Sequence, residues 1–517
     1  MLDVLYDPAW TSQFYWLLIV AFVFAFSVSF GMGANDSCND WGPAVGAGTV
    51  KLWQAYILCG IFNTIGAILL GFRLSVTCCF KKIPNKTTNS QTGAMAGVAA
   101  FMIVSSVYKI PVSATHAIVG ASLASSLYLR GNVGIKWSEI GGIGYKVTET
   151  LRSGIVEVEV FDVYSAFNHT TGKYEVVPHC DGAVATEEIS VMSWFISPLI
   201  AGFFASFFYL IIKYSVLLRK DTFKWALIMC PVFMCFTVTV NLFACIFDGS
   251  KYLGFDRLSW WQAGLISLAT GLVAMFLLSC PLKSWLSNRA HRLYNEEQAK
   301  AQKKLEQGKC KVSKITDMRT PTTDMEKLRD LPWYKYLYTA VPEERLTTKV
   351  FNALQIVSSS LLSFSHGAND TANTVGPLLA VWMTYQTGYA FGAAETRDDS
   401  QVLLAFGAVA MIVGFLALGH RTIKLIAKEI TVDMSPVSGF AIELGTAFTV
   451  LVCVKIGVPI SSTHCAVGAV LFVGMTKSTT EGVSFKTFRK ICIVWLLCFP
   501  IAAIISLLVT MVLVRFV

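Results

Sequence analysis

The sequence predicts an all-α polytopic membrane protein of about twelve membrane segments, set in two inverted repeats with broken helices and two re-entrant hairpins. Three observations predict it. Apolar segments come close to bilayer length, basic residues gather in one linker, and two motifs each occur twice in the same order. Of 517 residues, 54% are hydrophobic and 15% charged, with a mean hydropathy of +0.57. A soluble domain carries about 25% charge, so this chain lacks the polar residues to cover a globule of its size. With 13 Trp, 35 Phe and 17 Tyr it is not a disordered chain. The composition argues against a soluble enzyme, a secreted protein and a nucleic-acid binder.

The apolar segments fall at 14–50 (interrupted), 52–72, 92–109, 111–129, 193–213, 222–247 and 261–282, then at 350–392 (interrupted), 402–419, 437–457, 459–475 and 491–515. Seven precede the basic linker and five follow it. No basic region precedes the apolar run from Phe14 to Phe30, so no cleavable signal is expected. Residues 1–13 hold Asp3 and Asp7 but no Lys or Arg, which places the N-terminus outside. Seven crossings then put residues 281–349, with 15 Lys or Arg against 9 Asp or Glu, on the cytoplasmic side. These residues account for most of the net charge of +9, so that charge marks topology rather than nucleic acid. Five more crossings bring the C-terminus outside. Only the loop with Arg73, Lys81, Lys82 and Lys86 runs against the rule.

The chain divides into a first repeat (1–140), a polar extracellular insert (141–191), transmembrane helices (192–282), the cytoplasmic linker (283–348) and a second repeat (349–517). In the insert, Ile155 to Tyr164 alternates apolar with polar residues as a half-buried strand does, Asn168 to Gly172 offers a turn, and Tyr174 to Val177 a partner strand. Sequons at Asn85 and Asn168 fall in loops counted as outside, where N-glycosylation occurs. Cys59, Cys230, Cys245 and Cys498 lie within apolar spans and read as packing residues, while Cys78, Cys79 and Cys180 fall in polar loops.

Internal repetition is the strongest signal. GANDSCNDWGP (33–43) returns as GANDTANTVGP (367–377) at an offset of 334, and IPVSATHAIVGASL (110–123) as VPISSTHCAVGAVL (458–471) at an offset of 348. The first copy starts outside and the second inside, so the halves are inverted. Inverted repeats with broken helices mark secondary transporters, with the site near the midplane between the halves.

The motif chemistry fits ions. Gly-Ala-Asn-Asp sets a helix-weakening glycine and two turn-forming polar residues inside an apolar segment, with Pro43 and Pro377 ten residues after the glycines. Such backbone at membrane depth is tolerated where it is buried in protein or lines a watery cavity. Asn35, Asp36 and Asn39, with Asn369, Asp370 and Asn373, supply the hard oxygens that suit small cations. The second motif resembles a hairpin tip. Ser113 and Thr115 with Ser461, Ser462 and Thr463, beside freed amides at helix N-termini, suit one tetrahedral oxyanion held between opposed tips. His116 and His464 read either as titrating groups or as packing histidines. Arg73 and Arg421 read as segment-end residues. Glu443 stands alone in an apolar run, with Met95 at the equivalent first-repeat position. A carboxylate so placed is a candidate coupling group.

At GANDSCND, GANDTANT, PVSATH and PISSTH, supported by TrpPheIleSerPro at 194–198, the chain resembles the inorganic phosphate transporter family, the sodium-dependent phosphate symporters. The resemblance covers roughly 12–140, 192–285 and 348–517. It implies symport of phosphate with sodium, or with protons in some members, by an inverted-repeat bundle with both termini outside, commonly a homodimer. It implies no enzyme activity and no cofactor beyond the transported sodium. Carried over by position, Asn35, Asp36, Asn369 and Asp370 would lie in unwound segments around sodium and phosphate, with Ser113, Thr115, Ser461, Ser462 and Thr463 lining phosphate. Three features depart from the family pattern: Ala114 removes a tip hydroxyl, no acidic residue lies between Asp40 and Glu139, and Asp40 replaces a small neutral residue. The expected function is sodium-coupled phosphate symport by alternating access at the plasma membrane. A phosphate-binding receptor with little transport, and proton-coupled transport, remain open.

Overall fold

The computed structural model describes residues 8–70, 84–131, 161–168, 173–180, 182–247, 254–307, 341, 343–387, 399–425, 434–455, 460–477 and 483–516. The linker stretch 308–340, the N-terminal residues 1–7, Arg73, Cys78 and Cys79 lie outside them. The first copy comprises α1 (Pro8–Asn35), α2 (Ser37–Gly46), α3 (Leu52–Leu70), α4 (Pro84–Val107) and α5 (Ala114–Arg130). After β1 (Phe161–Asn168) and β2 (Lys173–Cys180) come α6 (Gly182–Ile212), α7 (Thr222–Ile246), α8 (Trp260–Ser279) and the linker helix α9 (Lys283–Glu306). The second copy comprises α10 (Arg345–Thr387), α11 (Asp399–Leu425), α12 (Pro436–Lys455), α13 (Ser462–Lys477) and α14 (Phe485–Leu513). Over its described residues, each of the twelve apolar segments overlaps one of these helices or, at 14–50, the α1/α2 pair. Nine spans among the described residues have the length and hydropathy to cross a membrane. Apolar side chains such as Phe203, Leu265, Phe276, Leu496 and Ile504 face outward from α6, α8 and α14, as a lipid-facing surface requires.

The two copies interlock. First-copy α1 packs on second-copy α11, and second-copy α10 packs on first-copy α3. Likewise α4 and α5 pack on α14, and α12 and α13 pack on α6. Individual atoms repeat this exchange. Gly33 of α1 lies against the Met411 carbonyl of α11, and its counterpart Gly367 of α10 against the Asn63 carbonyl of α3. Gly66 of α3 meets the Phe364 carbonyl, and its counterpart Gly414 the Phe30 carbonyl. In each pair the partner is the repeat-equivalent of the other's partner. The glycines let two helix backbones touch where a Cβ would overlap the carbonyl.

Several expectations are corrected. No long unwound stretch appears in either Gly-Ala-Asn-Asp segment. The first is interrupted only at Asp36, and that residue keeps right-handed helical angles (φ −84°, ψ −37°). The second runs through one continuous 43-residue helix. The difference has a local cause. In α10, His366 and Asp370 sit at i and i+4 and are joined across the motif at 2.5 Å, whereas the equivalent pair in α1 is Met32 and Asp36, which cannot pair. The sequon residue Asn85 lies in the first turn of α4 rather than in a loop, because Pro84 opens the helix eight residues before the apolar run begins.

The hairpin is antiparallel with Asn168 opposite Lys173, and its first strand takes in 161–164 of the alternating run 155–164, of which 155–160 fall outside the described residues. Cys59, Cys230 and Cys498 are buried and Cys245 is intermediate.

On one end of the bundle, Glu297 of α9 pairs with Arg345 at 2.8 Å and Lys349 at 2.6 Å, fastening the linker helix to the start of α10. Burial by itself would raise the Glu297 carboxyl, but Lys349 and Arg345 outweigh it and hold the group below the usual glutamate range. Glu343 beside them accepts from the Tyr209 hydroxyl and pairs with Lys477 at the end of α13, each at 3.3 Å.

Candidate functional site

The second motif forms two helix starts that face one another. Ser113 caps α5: its backbone is extended (φ −106°, ψ 115°) and its hydroxyl accepts from the His116 amide. Ser461 does the same for α13, accepting from the His464 amide at 3.2 Å. The two caps touch, Ser113 Oγ donating to Ser461 Oγ at 2.9 Å across 348 residues of chain. The repeat therefore brings the positive ends of two helices, with their unsatisfied amides, to one buried point. Behind them His116 and His464 lie with ring centroids 4.4 Å apart, and His464 meets the Trp495 ring edge-on at 3.8 Å. That is the geometry of packed rings supporting the two tips.

The first motif surrounds this point. Asp36 accepts from Thr463 Oγ1 at 3.0 Å, and Asn39 Nδ2 donates to the same hydroxyl at 3.0 Å. Asp370 accepts from Ser462 Oγ at 2.9 Å and from Asn369 Nδ2, through its other oxygen, at 2.6 Å. Thr115 Oγ1 donates to the Ile460 carbonyl at 3.4 Å. Both aspartates thus lean on the second-copy tip. Ala114 stands where Ser462 does and offers nothing to Asp36.

Asn35 is engaged on both sides. Its Nδ2 donates to the Ile110 carbonyl at 2.8 Å and its Oδ1 accepts from the Val112 amide at 3.0 Å. It holds the backbone of the first tip, and its Oδ1 keeps a second lone pair beyond the bond from Val112. Asn369 donates to the Ile460 carbonyl at 3.1 Å in a related way, but its Oδ1, like Asn39 Oδ1 and Asn373 Nδ2, is buried without a hydrogen-bond partner among the described residues. Pro43 and Pro377 also deprive the Asn39 and Asn373 carbonyls of their i+4 donors. The buried oxygens without donors, Oδ1 of Asn39 and Asn369, are what a cation replaces its water with, whereas Nδ2 of Asn373 is a donor and suits an anion or water.

Glu443 is separate from both aspartates. It accepts from Ser358 Oγ at 2.5 Å and Gln355 Nε2 at 3.1 Å, and Gln355 in turn accepts from Thr49 at 2.5 Å. The equivalent first-copy positions are Met95, Phe24 and Ala21, all part of an apolar cluster. The network is therefore absent from that copy as a unit, not by loss of one glutamate.

Sequence reasoning left one assembly unconnected. Asp40 and His366 each lack a repeat counterpart, and they meet: His366 Nδ1 lies 3.0 Å from Asp40 Oδ1. Asp40 Oδ2 also accepts from Ser363 Oγ at 3.0 Å, and that hydroxyl accepts from Trp41 Nε1 at 2.8 Å. The shared lack of a counterpart was the signal that could have joined them.

Two interlocked helical repeats around a buried centre of carboxylates, amides and opposed helix starts define a polytopic membrane protein of the secondary-transporter type. A model of the phosphate transporter family matches residues 32–506, and the chain belongs to that family. It is similar to sodium-dependent phosphate transporter 1-B of Danio rerio, at 25% identity over 96% of this chain and 95% of the relative. It is also similar to sodium-dependent phosphate transporter 1 of Rattus norvegicus, at 24% identity over 95% of this chain and 94% of the relative. A solved structure titled "The sodium-dependent phosphate transporter" shares the fold, with a TM-score of 0.70 and 23% identity over 97% of this chain and all of that one.

Proposed function

We propose that this chain carries inorganic phosphate across a membrane together with sodium. One observation supports this above others: the caps Ser113 and Ser461 meet between two helix N-termini, directly beside the paired aspartates. Phosphate enters between the tips in place of the Ser113–Ser461 bond, taking the hydroxyls of Ser113, Thr115, Ser461, Ser462 and Thr463 and the free amides as donors. Sodium takes oxygens from Asp36, Asn39, Asn369, Asp370 and Asn373 and offsets the charge of the anion. Asn35 serves as the clamp on the first tip. Glu443 serves as the coupling group, sensing the tilt of α10 against α12. One repeat rocks against the other around the site.

In this reading the protein lies in the plasma membrane as a homodimer, with both termini and the 141–191 insert outside, the 283–348 linker inside, and carbohydrate on Asn168. Asn85 is a second sequon of the outer side.

Phosphate uptake into vesicles with and without an inward sodium gradient tests the proposal. Uptake that collapses without sodium is expected. Saturable phosphate binding with no accumulation would make the protein a receptor. Sodium-independent uptake that rises with external acidity would make it proton-coupled.

A further inference from the structure

We propose that Asp40 and His366 form a positioning pair that ties the two repeats together and sets the affinity for sodium by holding Asp370, although neither residue touches sodium or phosphate. The inference rests on the proposed sodium site containing Asp370.

The geometry is a buried line of three groups. The His366 ring reaches Asp40 Oδ1 with Nδ1 at 3.0 Å and Asp370 Oδ2 with Nε2 at 2.5 Å, and all three residues are at most 2% exposed. The Nδ1 hydrogen bond to Asp40 fixes the ring, and it sets Nε2 within ion-pair distance of Asp370 though not in hydrogen-bond alignment with it. Asp40 is itself fixed by Ser363, whose hydroxyl is held by Trp41. The line thus starts on α2 of the first repeat, crosses to α10 of the second, and ends on the Asp370 oxygen that also accepts from Ser462. Asn369 holds the other Asp370 oxygen and the tip of α13 shares Oδ2 with the ring, so the ring helps decide how that carboxylate is turned between tip and ion.

The repeats show that the line is an addition to the shared design. At the equivalent positions Asp40 becomes Thr374, whose hydroxyl bonds the carbonyl of Thr371 in its own helix at 2.9 Å. His366 becomes Met32, packed in an apolar cluster, Ser363 becomes Ser29 and Trp41 becomes Val375. Asp36, the counterpart of Asp370, accordingly has no such support and leans on Thr463 instead. An unpaired carboxylate at this depth is costly, and Asp40 and His366 satisfy one another only if both are present. They therefore act as one unit whose output is the placement of Asp370.

The test is phosphate uptake by reconstituted protein as a function of external sodium, for Asp40→Thr, Asp40→Asn, His366→Gln and the Asp40→Thr/His366→Gln double variant. Asp40→Thr, the residue of the other repeat, is expected to raise the sodium concentration for half-maximal uptake about 10-fold, as loss of a charge-assisted bond does, with maximal uptake per inserted molecule within about 3-fold. Asp40→Asn keeps an oxygen facing Nδ1 and is expected to restore most of the sodium affinity. The double variant is expected to shift no further than His366→Gln alone, because the two residues act in one line.

A merely structural role would lower the amount of inserted protein or the maximal rate and leave the sodium dependence unmoved. That result for Asp40→Thr, or multiplicative shifts in the double variant, overturns the inference. Should Asp40→Thr fail to insert, near-isosteric Asp40→Asn and His366→Gln still decide it, since an unshifted sodium dependence in His366→Gln is equally fatal. Wild-type uptake that ignores sodium would instead bring down the reading of the site itself.

Discussion

Ser113 and Ser461 share a hydrogen bond of 2.9 Å, and each also caps its own helix. One bond therefore joins the two repeats at equivalent points and closes the space between two helix N-termini. An anion entering there exchanges this bond for bonds to itself and keeps both caps.

Ser113→Ala and Ser461→Ala are expected to raise the phosphate concentration for half-maximal uptake by about 10-fold each, the loss of one hydrogen bond to a charged ligand. Alanine also removes a cap, at about 1 kcal/mol of stability. Ser113→Gly separates the two effects, because glycine in the capping position costs only a few tenths of a kcal/mol. The glycine variant should keep near-normal thermal stability and still show the weakened phosphate affinity. Normal affinity in it would remove Ser113 from the phosphate site.

Asp36→Asn and Asp370→Asn keep acceptor oxygens for Thr463 and Ser462 while removing a charge. Both variants should reach the membrane in normal amount and lose at least about 10-fold in sodium-driven uptake, as the loss of a charged partner worth about 1.5–3 kcal/mol requires. Uptake per inserted molecule within twofold of wild type would refute the role given to either residue.

Much of this centre was legible in the sequence because the repeat did the reading. An offset of 334 made Gly33 and Gly367 equivalent, and the structure sets them against equivalent carbonyls, those of Met411 and Asn63. An offset of 348 matched Ser113 to Ser461. What escaped was whatever breaks the symmetry. Asp40 pairs with His366, not with its own counterpart Thr374, so comparing like positions could not find the contact. The continuity of α10 escaped for the same reason: the His366–Asp370 contact bridges a motif whose composition alone predicts a break. The second task of Asn35 is also invisible in the motif: its side chain holds the tip backbone at Ile110 and Val112, which are distant in sequence.

The close glycine contacts carry their own expected outcome. Gly33→Ala and Gly367→Ala each place a methyl onto a carbonyl of the facing helix and should destabilise by about 1–3 kcal/mol, the usual cost of overpacking. Because the contacts are equivalent, the two losses should be similar. Gly264→Ala is the control: nothing lies within 4 Å of a Cβ there, so the better helix propensity should raise stability slightly. Melting of purified protein in detergent checks all three. A harmless Gly367→Ala would deny the close approach of α10 to α3.

The attachment of α9 is electrostatic and should behave so. Glu297 pairs with Arg345 and Lys349, and its carboxyl is held below the usual glutamate range by them despite partial burial. A group whose value is depressed on folding contributes stability that is complete above its unfolded value and is lost as pH falls through the lowered folded value. The attachment should therefore be intact at neutral pH, persist through the ordinary glutamate range and loosen only below it. Glu297 is about one-third exposed and Arg345 rather more, so salt should weaken the contact. Hydrogen exchange across Lys283–Glu306 provides the measurement. Glu297→Gln, or high salt on the wild type, should speed exchange of the α9 amides about 2- to 5-fold at neutral pH, the scale of a partly exposed pair. In acid below the lowered value, wild type and variant should exchange alike, because protonation has already done to Glu297 what the substitution does. Equal rates at neutral pH would show that apolar packing, centred on the buried Leu286 and Ala290, holds the helix without the ion pairs.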